Sequence, residues 1–90
     1  MQVPVKRIKI TNQRGLHARA SSKFVNCARG FSAKIMVAHN GLEVPATSVM
    51  GLMMLVASKG SQITLSAEGE DAEAALESLE NLIIGKFGEE

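Results

Sequence analysis

Asn40-Gly41 stands between two runs in which apolar and polar residues alternate, Ala33 to His39 before it and Leu42 to Ala46 after it. A two-residue hairpin turn of the primed type needs positive φ at both central positions, and this pair tolerates it. Strands joined this way are antiparallel neighbours, so one hairpin is fixed before any other element is considered. Ala33, Ile35 and Val37 share one face of the first strand, and Leu42, Val44 and Ala46 alternate along the second. Pro45 has no N–H to donate, which makes the strand after the turn a sheet edge.

The other segments show period two or helical spacing. Val3 to Ile10 has strand composition, with Ile8 and Ile10 on one face and Arg7 and Lys9 on the other. From Ala18 to Arg29 the apolar positions Ala20, Phe24, Cys27 and Ala28, with Val25 beside them, form one helical stripe that Gly30 should end. Thr47 or Ser48 is placed to cap a short helix from Val49 to about Val56. Ser61 to Ala67 alternates as a strand, with Ile63, Leu65 and Ala67 inward. Asp71 is placed to cap a last helix with the stripe Ala72, Ala75, Leu76, Leu79, Leu82 and Ile83, stopped by Gly85. The order is β-α-β-β-α-β-α. Strands with one apolar face and three amphipathic helices make a two-layer, open-faced α+β sandwich. At 90 residues this is expected to be one domain over 1–90.

One cysteine, Cys27, excludes an internal disulfide, and no apolar run approaches the length of a membrane span. These features lead us to expect a cytoplasmic protein with no membrane insertion. The net charge of +1 conceals an asymmetry: residues 1–34 hold eight of the ten bases and no acid, and residues 68–90 hold eight of the nine acids. A basic N-terminal third suits an anionic substrate or an acidic partner.

That basic third contains Arg14-Gly15-Leu16-His17-Ala18-Arg19-Ala20, the junction between the first strand and the first helix. The first N–H groups of a helix lack internal acceptors and favour an anion, here the N–H groups of Ala18 and Arg19. His17 is placed to offer a ring nitrogen to a group held there, and Arg19 adds a planar, permanently charged fork for phosphate oxygens. The pattern points to an imidazole that accepts a phosphoryl group. Taken by themselves these seven residues more often mark a plain surface histidine at a loop–helix junction.

Taken together, Gly15-Leu16-His17-Ala18-Arg19, the Asn40-Gly41 hairpin, Ser48-Val49-Met50-Gly51-Leu52-Met53 and Lys59-Gly60 resemble the HPr family, the histidine phosphocarriers of the phosphoenolpyruvate-dependent phosphotransferase system, over about residues 5–85. The resemblance implies an antiparallel sheet in the order 1-4-2-3. It implies phosphorylation of His17 on Nδ1 by Enzyme I and transfer to an EIIA-type domain, with Arg19 steadying the group and no cofactor or metal. Leu16, Ala20, Met50, Gly51 and Met53 match the family's docking face for partners. Ser48 matches a serine modified in some members by an HPr serine kinase/phosphorylase. A carrier of this kind is not itself an enzyme and is expected to be a monomer.

Two positions depart from the family pattern. Ala20 stands where proline is usual, and Thr47 where many members have lysine before the regulatory serine. The second-helix stretch through Met53-Met54-Leu55 is closer to the nitrogen-related NPr branch, which would make the acceptor regulatory and not part of sugar uptake.

Rival functions fare less well. Open-sheet readers of RNA need aromatic platforms, and the chain has three Phe and no Tyr or Trp, so nucleic acid is not an expected partner. Cys27 lies ten residues along the helix from His17, roughly 15 Å at 1.5 Å per residue, too far for a Cys–His pair. His39, before the hairpin turn, reads as a surface strand residue. A module of the nitrogen-related branch that acts by phosphorylation-dependent partner binding remains the alternative.

Overall fold

The structure, a computed structural model, describes residues 3–89; residues 1, 2 and 90, which the single-domain reading also takes in, lie outside them. The elements run β1 (Val5–Lys9), α1 (Ala18–Ala28), β2 (Lys34–His39), β3 (Leu42–Pro45), α2 (Val49–Met54), β4 (Gln62–Glu68) and α3 (Ala72–Ile84), followed by a single 3-10 turn at Lys86–Gly88. All three strand pairings are antiparallel, in the order β1-β4-β2-β3. The third strand is an edge, as Pro45 requires.

Register explains the single buried face. Ile8 lies opposite Ile63, Val37 opposite both Leu65 and Val44, and Ile35 opposite Ala67, so buried residues meet buried residues across every ladder. A one-residue slip would turn all of them to solvent. Phe24 of α1, Leu52 of α2 and Leu76, Leu79 and Ile83 of α3 close the core from above. Asn40 and Gly41 have φ of 50° and 80°, the primed turn their sequence asks for.

Several expectations need correction. Asp71 sits at the N-cap of α3 but makes no cap bond; its carboxylate accepts from Ser32 N–H and Ala33 N–H, each at 2.8 Å, and from Ser32 Oγ at 3.2 Å. These donors from the α1–β2 loop, led by Ser32 N–H, hold the Asp71 carboxyl below its ordinary value. Ser48 alone caps α2, its hydroxyl accepting from Gly51 N–H at 2.9 Å. Cys27 packs against the core while only partly buried. His39 is half-buried, with Nδ1 2.8 Å from Leu55 O, so it ties β2 to the end of α2. Gly85 stops α3 as expected, with negative φ, and the left-handed turn after it falls on Lys86 and Phe87, both at φ 56°. Left-handed backbone costs a non-glycine residue about 1–2 kcal/mol. Phe87 is fully buried, and burying such a ring stabilises by about 1.5–3 kcal/mol, which offsets much of the strain at the two residues.

Candidate functional site

The turn before α1 begins at Asn12. Gly15 N–H donates to Asn12 O at 3.2 Å, and Leu16 N–H donates to Ala57 O at 2.9 Å, which docks the turn on the segment after α2. Gly15 has φ of 62°, and a Cβ there would lie 2.4 Å from Ala57 O. Only glycine lets the chain pass that close while turning left-handed. The bend delivers His17 to the N-cap of α1 in an extended conformation, and the first helical bond runs from Ser21 N–H to His17 O at 2.8 Å. The N–H groups of Ala18 and Arg19 precede that bond and have no acceptor within the helix.

His17, Arg14, Arg19 and Lys23 line one open cleft of about 360 Å³ together with Gln13, Gly88 and Glu89. Arg14 and Arg19 are exposed. The basic rim expected from sequence is therefore assembled in space, around a ring whose side chain is only 20% exposed. A second cleft of about 210 Å³ adjoins the same ring and is lined by Arg14, Leu16, Met53, Val56, Ala57 and Ser58.

The C-terminal segment supplies what sequence reasoning missed. His17 Nε2 pairs with Glu89 Oε2. Glu89 Oε1 accepts from Asn12 Nδ2 at 3.0 Å, and the same Nδ2 donates to Gly15 O at 2.9 Å. Lys23 Nζ donates to Phe87 O at 2.6 Å. The Asn12 hydrogen bond, and then the His17 contact, outweigh desolvation and hold the Glu89 carboxyl below its ordinary value. Glu89 lies 72 positions from His17, so no local pattern signals the pair. The buried Phe87 just past the end of α3 is the one residue that marks the tail as anchored.

The docking residues divide. Met50, Met53 and Met54 are 71%, 42% and 61% exposed, so none of them enters the core and Met50 and Met53 are open to a partner. Leu16, Ala20 and Gly51, expected on the docking face, are buried, and of the three Leu16 lines the cleft beside the ring. Gly51 is small because a Cβ there would press on Val44 Cβ at 3.0 Å. Burial raises the pKa of the Cys27 thiol, which disfavours its thiolate form.

Residues 5–84 match the family described as PTS HPr component phosphorylation site. The chain belongs to the HPr family of the phosphotransferase system. It is 48% identical over 82 residues to the phosphocarrier protein HPr of Neisseria meningitidis, covering 91% of this chain and 92% of that protein. It is 40% identical to the phosphocarrier protein NPr of Shewanella violacea, covering 93% of this chain and 92% of that one. A crystal structure of HPr from Thermoanaerobacter tengcongensis matches with a TM-score of 0.93 at 46% identity, covering 97% of this chain and 98% of that chain. The sheet order and the helices expected from the family resemblance are those of the fold. HPr proteins are carriers, not catalysts. Among the described residues no helix is long and apolar enough to cross a membrane.

Proposed function

We propose that this protein, a single cytoplasmic domain acting as a monomer, carries a phosphoryl group on His17. It receives the group from phosphoenolpyruvate through Enzyme I and hands it to an EIIA-type domain. The observation that carries this reading is the placement of the His17 ring at the N-cap of α1, facing the cleft rimmed by Arg14, Arg19 and Lys23. In the transfer, an imidazole lone pair forms the N–P bond while the donor's bond to phosphorus breaks, its electron pair returning to the donor. The N–H groups of Ala18 and Arg19 and the α1 dipole favour the incoming anion. The Arg19 guanidinium meets the charge spread over the transferring oxygens. Met53 offers an adaptable apolar surface in the cleft beside the ring, and the exposed Met50 on the same helix extends it, for both donor and acceptor. Ser48 at the start of α2 is the site for a serine kinase to modulate docking.

The identity to both HPr and NPr relatives supports a second reading of the acceptor, a regulatory protein that distinguishes the phosphorylated form, in place of a sugar-transport component.

The test is incubation with a bacterial Enzyme I and phosphoenolpyruvate. The expected product is one acid-labile, base-stable adduct; its absence, or an acid-stable one, overturns the reading. Arg19→Ala should accept the group and release it more slowly, and Arg19→Lys should restore little, because lysine lacks the planar fork.

A further inference from the structure

We propose that Glu89, held in place by Asn12, is a positioning residue for His17. This rests on the carrier reading and deepens it. An ionised carboxylate only accepts hydrogen bonds. Its pairing with Nε2 therefore puts the ring proton on Nε2 and leaves the lone pair on Nδ1. One contact fixes both the tautomer and the rotation of the ring, as a carboxylate does for the histidine of a hydrolase triad. When Nδ1 forms its bond to phosphorus, the donor's bond breaks toward the donor and the Nε2 proton stays on the ring. The ring becomes a cation opposite the Glu89 carboxylate, so the same residue stabilises the loaded state.

Three further contacts show that Glu89 is placed and not merely near. Asn12 Nδ2 bridges Gly15 O and Glu89 Oε1, at 2.9 and 3.0 Å, which joins the turn that carries His17 to the tail that faces it. Phe87 is buried beneath the tail, and Lys23 grips Phe87 O. Asn12 is itself fully buried, and its Oδ1 has no hydrogen-bond partner among the described residues. A buried acceptor left without a partner is destabilising, and an apolar side chain would avoid that. The asparagine has a use for which an apolar residue would fail: its amide group holds two oxygens, one on each side of the site. The groups lining the cleft around this pair are Gln13, Arg14, Arg19 and Lys23.

The experiment combines nitrogen NMR of the His17 ring with single-turnover phosphoryl uptake from Enzyme I, on wild type, Glu89→Ala, Glu89→Asp, Asn12→Asp and the double variant Asn12→Asp/Glu89→Ala. Circular dichroism confirms that each is folded. Wild type should show one tautomer with a protected Nε2–H. Glu89→Ala should lose that protection, populate the second tautomer and take up phosphoryl roughly tenfold to a hundredfold more slowly, the effect of one charge-assisted hydrogen bond. Glu89→Asp should recover part of both readouts. Asn12→Asp sets an acceptor against Glu89 and should reproduce Glu89→Ala, and the double variant should be no slower than either single one. Unchanged tautomer and unchanged uptake in Glu89→Ala overturn the proposal, as does a lost Nε2–H signal with unchanged uptake. Should wild type take up nothing, the carrier reading falls, and the NMR arm still decides whether Glu89 orders the ring.

Discussion

Replacing Gly15 by alanine should damage this fold far more than the same change at Gly41, because one glycine is enclosed and the other is not. Both have positive φ, 62° and 80°, so each alanine bears a left-handed cost of about 1–2 kcal/mol. At Gly41 nothing lies within 4 Å of the added Cβ, and that cost is the whole effect. At Gly15 the Cβ would lie 2.4 Å from Ala57 O and 2.7 Å from Ser58 Cα, both backbone atoms that no rotamer change can move aside. The segments must separate, at an overpacking cost of about 1–3 kcal/mol. The Leu16 N–H to Ala57 O bond is lost with them, worth about 0.5–1.5 kcal/mol. Gly15→Ala should therefore lose roughly 2.5–6.5 kcal/mol, a large share of the about 5–15 kcal/mol typical of a whole domain. Gly41→Ala should lose about 1–2 kcal/mol. The chain has no Trp or Tyr, so urea unfolding is best followed by the helical circular dichroism signal. A gap of about 1.5 kcal/mol or more between the variants is expected from the overpacking and hydrogen-bond costs. Equal midpoints would refute the close approach of the His17 turn to the segment after α2.

Other outcomes follow from single contacts. Ser48→Ala removes the cap on Gly51 N–H and should cost about 1 kcal/mol in urea unfolding. Ser48→Asp keeps an acceptor there and should hold stability while slowing uptake from Enzyme I at low salt, with the loss shrinking as salt screens the added charge. Val56 is 78% exposed with φ of 51°, an unfavourable conformation for a β-branched residue. Val56→Gly should raise stability by up to about 1 kcal/mol, read from thermal melts; a lower melting temperature would contradict that backbone. The folded Asp71 carboxyl lies below its ordinary value of 3.8, so the unfolded chain takes up the proton first as pH falls. The stability due to Asp71 is present above that ordinary value and is lost as pH drops through the folded value. Urea midpoints measured from neutral to acid pH should fall less steeply in Asp71→Asn than in wild type.

The parts of this fold that could be read in the sequence are those fixed by neighbours a few residues apart. The Asn40-Gly41 turn, the edge position forced by Pro45 and the stripe of α3 all depend on local period or local stereochemistry. The His17 junction could be read for the same reason, since bend, N-cap and basic rim lie within ten residues. The errors lie where a side chain chooses between near and distant partners. Asp71 turns from its own helix to Ser32 and Ala33, where two N–H donors already converge. Met50, Met53 and Met54 sit on a helix too short to show which face is buried, and Gly51 and Leu52 take the buried side. Glu89 reaches His17 only because Lys86 and Phe87 bend left-handed and Phe87 anchors the tail, a long-range arrangement with no sequence period to reveal it.

The most direct test of the central claim is the site of phosphoryl attachment. Wild type and His17→Ala would each be incubated with Enzyme I and labelled phosphoenolpyruvate, and the label counted on intact protein. Wild type should carry one phosphoryl group per chain, and a folded His17→Ala none. Label retained by His17→Ala would place the phosphoryl group elsewhere and contradict the account.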